Sequence, residues 1–376
     1  MVTVILDGNY LLHKTFGIFS GFGSKSPGDV LSSETERNMF LRKVITDMCY
    51  SLNQIPDLNR VVFCKDSRSW RKDYKITRSV YKESRVKSEG VDWGSFFKLL
   101  EDFGEFLSEN GFIYSTCGGA EGDDLIWAWC DHLKNSEDQV IILSGDKDMH
   151  QLVRSNGKTW TCIWNSNSKN NRFIVSDNWK IEDDVETTIF DVTPSSGSNN
   201  HKLQNLISSC LIEKIEIKEF VFKKILMGDK KDDVPGVFPY LTKNGKPSNI
   251  AEGKAQKIWD LYVQSPWEKY SMEELWENDE FLSWLAGLSL RLIGQTDNNE
   301  NREKFKQYYE ENGRLVWLNQ KAIPEDMVEN LKNHVASLSN KVEVSPLIDK
   351  KTMIEKSPWA KDTSPPKQFD PFSLFD

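Results

Sequence analysis

The chain has 376 residues, of which 28% are charged and 38% are hydrophobic, a balance typical of a globular protein with a sizeable core. Its length suits about two or three domains. No apolar run reaches the ~20 residues of a membrane span, and the N-terminus has no secretory signal, so we expect a cytoplasmic protein without a membrane partner. Six cysteines without Cys-x-x-Cys spacing indicate reduced thiols, not zinc ligands. The net charge of −9 argues, at first sight, against a nucleic-acid partner.

Two apolar, β-prone segments in the first 70 residues each end near an acid. Residues 2–6 lead directly into Asp7, and residues 60–64 lead into Asp66. A short apolar strand that stops at an acid is typical of a parallel α/β sheet, where ligands sit beyond the carboxyl ends of the strands. Between the two strands, a capping box predicts a helix over about 34–53.

Basic and aromatic residues alternate between residues 68 and 90. Such side chains can neutralise phosphates and stack on bases, although a solvated charged helix would have the same composition. Because this segment directly follows the strand that leads into Asp66, substrate binding is favoured over a solvated helix. The candidate nucleic-acid contacts in this segment are Arg68, Trp70, Arg71, Lys72, Arg78 and Tyr81.

The middle of the chain carries two further acidic motifs. A helix predicted over about 92–109 and a strand over 112–114 lead to residues 121–124, where three carboxylates occupy four residues at a helix start. A helix N-terminus tolerates acids, but capping alone does not require three of them at one place, where they repel each other. Bound divalent cations would remove this repulsion. The clearest buried strand, over 139–143, runs into a Gly-Asp-x-Asp motif at 145–148.

The second half of the chain predicts a change of architecture. Residues 158–175 indicate a β-hairpin, and a polar, turn-rich loop follows it. We therefore place an α/β core at residues 1–200, a helical region at 206–340 and a flexible, proline-containing tail at 345–376.

The acids at these positions are candidates for one metal cluster. An oxygen-only, carboxylate-rich site suits Mg²⁺ or Mn²⁺, and two such ions ~4 Å apart stabilise both oxygens of an in-line phosphodiester displacement. Each acid alone is explained equally well as a turn former, helix start or capped loop residue, but clustered unneutralised acids cost stability. The nine candidate ligands are Asp7, Asp66, Glu121, Asp123, Asp124, Asp146, Asp148, Asp229 and Asp232. Without them, 48 acids face 48 basic residues, so the remaining surface can hold basic patches.

Taken in chain order, the motifs resemble those of the flap endonuclease/5′-nuclease family, and within it the bacteriophage T4-type RNase H branch. The resemblance covers about residues 2–260 and rests on Asp7-Gly-Asn, the strand ending at Asp66, Trp70-Arg-Lys-Asp73, Tyr81-Lys82-x-x-Arg85, Ala120-Glu121-Gly-Asp123-Asp124, Gly145-Asp146-x-Asp148 and Met227-Gly-Asp229-x-x-Asp232. It implies an α/β fold with a PIN-like parallel-sheet nuclease core, a helical arch at about 67–90 and a C-terminal DNA-binding region of the helix-3-turn-helix type.

The resemblance also implies an activity and residue roles. The activity would be a Mg²⁺-dependent 5′→3′ exonuclease and flap endonuclease, with RNase H activity, that removes RNA primers and 5′ flaps during DNA replication. Residues Asp7, Asp66, Glu121, Asp123 and Asp124 would serve mostly the first ion, and Asp146, Asp148, Asp229 and Asp232 would complete the site, with Asp146 central to catalysis. Lys82 and Arg85 would reach the scissile phosphate, although a second Tyr-Lys-x-x-Arg copy leaves Lys75 as an alternative catalytic lysine.

Two segments depart from the family pattern or add to it. Residues 237–248 form an apparent insertion ahead of Gly253, Lys254 and Lys257, where we place the contact with the DNA duplex. Because of this insertion, the sequence does not decide whether that contact forms or whether a K⁺ ion binds there. The tail ends in a sequence similar to a sliding-clamp-binding peptide, with the apolar anchors Phe372, Leu374 and Phe375; the alternative is a terminus that packs on its own domain.

The expected partners are DNA with a 5′ flap, an RNA–DNA hybrid, a sliding clamp and single-stranded DNA-binding protein, with the chain as a monomer in the host cytoplasm if it is phage-encoded. Two other functions remain open. A non-catalytic, clamp-tethered DNA-binding protein would be expected to have lost carboxylates, and none of the nine is missing. A PIN-like ribonuclease is less compatible with the helical region and the Gly-Asp-x-x-Asp motif.

Overall fold

The computed structural model describes residues 2–21, 34–74, 77–84, 93–136, 139–155, 159–166, 171–178, 210–238, 240–241, 247–248, 250–340 and 345–361.

A mixed eight-stranded sheet forms the centre of the fold. Strand β1 (Val2–Asp7) lies between β2 (Leu58–Cys64) and β4 (Gln139–Leu143) and is parallel to both. Strand β3 (Ile113–Ser115) continues the parallel order beyond β2, and β6 (Trp160–Asn165) continues it beyond β4. The carboxyl ends of these five strands therefore meet at one edge of the sheet, and the predicted α/β class is confirmed.

The other strands reverse direction. Strand β5 (Arg154–Ser155) and strand β7 (Arg172–Ser176) are antiparallel to β6, and β8 (Leu211–Ile215) is parallel to β7. The hairpin predicted over 158–175 is confirmed as β6 and β7. The sheet is thus mostly parallel, in agreement with the predicted parallel-sheet core. The core boundary predicted at residue 200 is wrong, because β8 pairs with the sheet beyond it.

Helices cover both faces of the sheet. On one face, α1 (Gly8–Gly21), α2 (Glu34–Leu52) and α3 (Trp93–Glu109) pack in the core that contains Val4 and Leu6. The ranges of α2 and α3 confirm the helices predicted over 34–53 and 92–109.

The opposite face is covered by α4 (Gly122–Leu133) and by α10 (Glu325–Ser339), which comes from the end of the predicted helical region. Leu331 and Val335 of α10 are buried in the same cluster as Ile5 of the central strand. The helical region therefore returns to the core and packs on it.

The intervening helices enclose a second core rich in aromatic residues. They are α5 (Ile217–Met227), α6 (Glu252–Val263), α7 (Met272–Leu275), α8 (Asp279–Ile293) and α9 (Asn299–Val316). Phe222 stacks on Tyr262, and Trp276 lies 5.1 Å from Trp317 between ring centroids, so the tryptophan-rich segment is mostly core. Within the predicted insertion, β9 (Tyr240–Leu241) and β10 (Pro247–Ser248) pair antiparallel. None of the described helices combines the length and apolarity needed to cross a bilayer.

The predicted flexible tail is folded over its first part. Helix α11 (Lys350–Lys356) and the 3-10 helix Pro358–Lys361 pack on the first core, where Trp359 contacts Phe103 and Phe106. The expectation of flexibility from residue 345 is wrong because two isolated apolar side chains, Met353 and Trp359, supply a buried anchor that short-range periodicity does not reveal. The clamp-peptide anchors Phe372, Leu374 and Phe375 lie outside the described residues.

Candidate functional site

A cleft of about 1030 Å³ opens at the carboxyl edge of the sheet, between the strand ends and α5. Eight of the nine predicted acids line it: Asp7, Asp66, Glu121, Asp123, Asp146, Asp148, Asp229 and Asp232. Seven lysines line the same cleft: Lys82, Lys147, Lys214, Lys223, Lys224, Lys230 and Lys231. The cleft therefore has a floor of carboxylates and a rim of mixed charge, because Glu216, Glu219 and Glu252 also line it.

Asp7 is oriented by the two elements that meet at the end of β1. Its Oδ1 accepts a hydrogen bond from the Tyr10 amide at 2.9 Å, in the first turn of α1. Its Oδ2 accepts one from the Ser144 hydroxyl at 2.7 Å, because β1 and β4 are neighbours in the sheet. The carboxylate is thus fixed at the cleft floor before any ligand arrives.

Asp66 and the start of α4 are joined directly. The amide of Gly122 donates to Asp66 Oδ1 at 2.5 Å. A Cβ at position 122 would lie 3.0 Å from that same oxygen, so a larger residue would require the Asp66 carboxylate to shift by a few tenths of an ångström. Glu121 is the N-cap residue of α4, which places its carboxylate beside Asp66.

Asp146 and Asp148 follow β4 in a tight turn. Asp146 caps the 3-10 helix Lys147–Leu152 by accepting the Asp148 amide at 3.0 Å. Gly145 lies beneath the Tyr10 ring, where a Cβ would come within 2.5 Å of a ring carbon. The glycine lets this turn approach α1 closely and brings both acids to the cleft.

Two lysines join the core acids to the acids of the loop after α5. Lys82 Nζ lies 2.6 Å from Glu121 Oε1 and 3.6 Å from Asp232 Oδ2. Lys224 forms ion pairs with Asp148 and with Asp229, the latter at 3.1 Å. Each ammonium therefore bridges one carboxylate of the sheet edge and one of the 229–232 loop.

The acids at the cleft floor are not neutralised by these lysines. Burial raises the pKa of Asp7 to about 6, with further contributions from the charges of Asp146 and Asp66. Burial, followed by the charges of Asp7 and Asp146, raises the pKa of Asp123 well above its ordinary value. At Glu121, burial is outweighed by Arg71 and Lys82, which hold its pKa below the usual range. The floor around Asp7 and Asp123 is thus the part of the cleft that most favours an added cation.

The donor set fits a hard divalent cation. All candidate ligands are carboxylate oxygens, as Mg²⁺ and Mn²⁺ prefer. Within the described ranges, no three His, Cys, Asp or Glu side chains already surround a common point as a closed metal site.

Asp124 is not part of the cleft, which corrects its assignment as a metal ligand. Its carboxylate is fully buried and accepts two hydrogen bonds from Arg71, at 2.7 and 2.9 Å. Trp70 donates to the same carboxylate at 3.2 Å. A carboxylate enclosed in this way has no free face for an ion.

The basic and aromatic segment folds back onto the core, which corrects several predicted DNA contacts. Within residues 67–74 and 77–84, the described part of the predicted helical arch, the helical structure is the 3-10 helix Trp70–Lys72. Trp70, Arg71 and Tyr81 are buried. Arg78 donates to the Gly236 carbonyl at 2.6 Å and so ties the segment to the helical region. Sequence composition could not separate these buried partners from exposed phosphate contacts.

The other predicted binding residues have varied positions. Arg68 and Lys72 are exposed, and Arg68 forms an ion pair with Asp73. Gly253 and Lys257 are exposed in the first turns of α6, and Lys254 is half-buried. Lys75 and Arg85 lie outside the described residues.

Three residues of the cleft were missed by the sequence reasoning: Ser144, Tyr10 and Lys224. The first two act through contacts with Asp7 that no short motif encodes. Lys224 could have been found, because it lies in the last turn of the helix that leads into Gly228-Asp229, where its side chain can reach the acidic loop.

Comparison with known proteins finds similarity in the first half of the chain. A family model for the 5′-3′ exonuclease N-terminal, resolvase-like domain matches residues 2–184. This match covers just under half of the chain, so residues 2–184 are similar to that domain. The match supports the resemblance inferred from the motifs, and the T4-type RNase H branch stays a prediction.

Individual 5′-nuclease relatives are distant. The chain is 23% identical over 236 residues to a 5′-3′ exonuclease of Buchnera aphidicola, covering 62% of this chain and 64% of that protein. It is 28% identical over 154 residues to a 5′-3′ exonuclease of Mycoplasmopsis pulmonis, covering 41% of this chain and 46% of that protein. The chain thus spans less than two thirds of the length of these relatives. Among solved structures it is similar to the T5 5′-exonuclease with bound zinc, with a TM-score of 0.48, 17% identity and coverage of 91% and 100% of the two chains.

Proposed function

We propose that this chain is a divalent-metal-dependent 5′ nuclease that hydrolyses phosphodiesters near 5′ ends. One observation carries the proposal: eight carboxylates and two bridging lysines from separate parts of the chain line a single cleft. Repelling acids on a cleft floor cost stability unless a cation binds there. The match of residues 2–184 to an exonuclease domain supports the same chemistry.

Mg²⁺ is the proposed cofactor, with Mn²⁺ able to substitute. Asp7, Asp66, Glu121 and Asp123 would hold one ion, and Asp146, Asp148, Asp229 and Asp232 would hold the second. Two bound ions would stabilise the attacking and leaving oxygens of the phosphodiester. The chain itself orients Asp7 through Ser144 and keeps the cleft acids at fixed positions.

The lysines of the cleft supply the contacts to phosphate. Lys82 is already held at the acidic floor by Glu121, and from there its ammonium can donate to an oxygen of the scissile phosphate. Lys147, Lys230 and Lys231 line the rim, where they can neutralise neighbouring phosphates. If the outermost arch is similar to that of the family, Arg85 joins Lys82 at the scissile phosphate.

The proposed substrates are DNA with a 5′ flap and RNA–DNA hybrids, such as displaced 5′ ends and RNA primers in DNA replication. The relatives named above are 5′-3′ exonucleases. The chain is also similar to a DNA polymerase I of Caldicellulosiruptor bescii, with 23% identity over 278 residues, which are 74% of this chain and 26% of that protein. The proposed duplex contact is the exposed start of α6 at Gly253 and Lys257, with K⁺ as a candidate ion there.

The test is cleavage of a 5′-labelled flap and of an RNA–DNA hybrid, each with and without Mg²⁺, with single-stranded RNA as a third substrate. Asp146→Asn keeps the cap of the 3-10 helix, because asparagine caps as well as aspartate. This variant should therefore fold and bind DNA but cut more slowly by a factor of at least about 100. Equal cutting by both proteins would refute the site. A wild-type chain that cuts only single-stranded RNA would support a PIN-like ribonuclease, and one that binds flaps without cutting would support the non-catalytic alternative.

Clamp binding is proposed from the sequence of the C-terminal peptide. Removal of residues 366–376, which contain the anchors Phe372, Leu374 and Phe375, should leave cutting of a free flap unchanged and abolish stimulation by the cognate sliding clamp. Stimulation that survives the truncation would refute clamp binding. Measurement of the mass of the protein in solution tests whether it is a monomer, as expected. A separate titration with single-stranded DNA-binding protein tests that partner.

A further inference from the structure

Arg71 is a buried arginine directly behind the acidic cleft. Its side chain is only 2% exposed. Its guanidinium makes two hydrogen bonds to Asp124, at 2.7 and 2.9 Å, and its Nε donates to the Leu315 carbonyl at 3.1 Å. Arg71 therefore connects the start of α4 to the end of α9.

Asp124 is fully engaged by the protein. In addition to Arg71, its Oδ2 accepts hydrogen bonds from Trp70 Nε1 at 3.2 Å and from the Glu121 amide at 3.0 Å. A buried arginine–carboxylate pair is a weak source of stability, because the cost of desolvating both charges offsets their attraction. Stability alone is therefore a poor explanation of this pair, whose position indicates a role in holding neighbouring groups in place.

The pair holds the Glu121 carboxylate from the rear of the cleft. Arg71 Nη1 lies 3.4 Å from Glu121 Oε2, and the Tyr81 hydroxyl lies 3.0 Å from the same oxygen. The other oxygen, Oε1, faces the cleft, where it accepts a hydrogen bond from Lys82. One edge of the carboxylate is thus bound internally while the other edge is presented to the reaction.

Tyr81 extends this support to the loop that carries Asp232. Its hydroxyl is 3.0 Å from Asp232 Oδ2 as well as from Glu121, and its neighbour Lys82 donates its amide to the Asp232 carbonyl at 2.9 Å. A rotation of Glu121 would therefore be accompanied by movement of the turn that carries Lys82.

We propose that Arg71 is a positioning residue for phosphodiester cleavage: its buried pair with Asp124 fixes Glu121 and, through Tyr81, the turn that carries Lys82. This inference rests on the proposed function of the cleft. Arg71 acts without touching the substrate. Residues that orient ligating groups from behind typically change metal affinity or activity about 10- to 100-fold when they are replaced.

The test compares Arg71→Lys and Arg71→Met with the matched control Arg302→Lys. Arg302 also makes two hydrogen bonds to one carboxylate, that of Asp297 in the helical region, at 2.6 and 3.0 Å; this pair lies away from the cleft and is more exposed. Lysine keeps the charge but cannot form both hydrogen bonds. We expect Arg71→Lys to lower kcat about 10- to 100-fold with KM within about threefold, Arg71→Met to be slower still, and Arg302→Lys to match the wild type.

Calcium titration by calorimetry, without nucleic acid, gives a readout that does not need turnover. Arg71→Lys should weaken Ca²⁺ binding about tenfold or more, and Arg302→Lys should not. A folded Arg71→Lys protein with wild-type kcat and Ca²⁺ affinity would overturn the proposal. If the wild type cuts no nucleic acid, the proposed function fails, while the calcium titration still decides whether Arg71 controls the acidic cleft.

Tyr81→Phe covers the case in which the arginine variants do not fold. It removes one hydroxyl and leaves the Arg71–Asp124 pair intact. We expect it to retain the wild-type unfolding midpoint within a few degrees and to lower kcat about tenfold, with little change in KM. An unchanged kcat in this variant would show that support of Glu121 from behind is not needed.

Discussion

Lys82 and Glu121 are joined across the cleft, with 2.6 Å between the ammonium nitrogen and Oε1. The backbone of Lys82 is also constrained, because it adopts a left-handed conformation with φ of 56° and its amide donates to the Asp232 carbonyl. Main chain and side chain thus fix this lysine at the acidic floor. Arg78, from the alternative copy of the Tyr-Lys-x-x-Arg motif, is instead held by the helical region.

Replacement of Lys82 by methionine should slow cutting of a flap substrate at least about 100-fold, with a smaller change in KM. The reason is that a preorganised positive group aimed at developing charge contributes mainly to the transition state. Methionine keeps the length of the stem, and Arg71 and Tyr81 still bind Glu121, so the variant should remain folded. Steady-state kinetics with saturating Mg²⁺ measure the effect. Lys134→Met, on the exposed end of α4, is the control, and an equal loss in both variants would refute a special role for Lys82.

Without bound metal, the wild type should be less stable than a variant in which one acid of the cleft floor is replaced by a neutral side chain. Burial and the charges of Asp7 and Asp146 raise the pKa of Asp123, because they disfavour its ionised form. Asp123→Asn removes this repulsion. We expect this variant to melt about 1–3 °C higher than the wild type in EDTA at neutral pH. Mg²⁺ should raise the melting temperature of the wild type, since it binds only the folded cleft, and raise that of the variant less.

Differential scanning calorimetry with and without Mg²⁺ checks both parts of this expectation. Asp131→Asn, at a half-buried position in the last turn of α4 outside the cleft, is the matched control and should respond to Mg²⁺ as the wild type does. A wild type whose melting temperature is the same in EDTA and in Mg²⁺ would contradict the assignment of the cleft as a cation site.

The sequence predicted the parts of the site that lie at the ends of regular elements. Asp7 and Asp146 could be placed at one sheet edge because apolar strands that end in acids have few other arrangements. The Arg71–Asp124 pair could not be predicted, since its partners are 53 residues apart and each also suits an exposed role. Tertiary contact alone decides between these roles. The same reason explains Trp359, whose burial depends on Phe103 and Phe106 from a distant helix.

Thiol reactivity should separate the six cysteines into two groups. Cys117 and Cys210 are half-buried, whereas Cys49, Cys64, Cys130 and Cys162 are buried. Burial raises the pKa of Cys49 to about 12 and that of Cys130 to about 12. Since the thiolate is the reactive form, raising the pH to mildly alkaline values still leaves these two groups protonated and unreactive.

Iodoacetamide labelling followed by peptide mass spectrometry measures this pattern. We expect modification of Cys117 and Cys210 in the native protein, and of all six residues in urea. Rapid labelling of Cys130 under native conditions would show that α4 opens far more readily than its packing on the sheet implies.

The C-terminal segment 345–361 should contribute to the stability of the α/β core. Trp359 is 7% exposed, and its ring centroid lies 5.4 Å from that of Phe106 and 5.9 Å from that of Phe103. Trp359→Ala should lower the free energy of unfolding by about 3 kcal/mol, because it leaves a cavity among large side chains. Urea denaturation measures the loss, with Tyr50→Ala, at a site 70% exposed, as the control. A Trp359→Ala protein as stable as the wild type would show that this segment does not pack on the core.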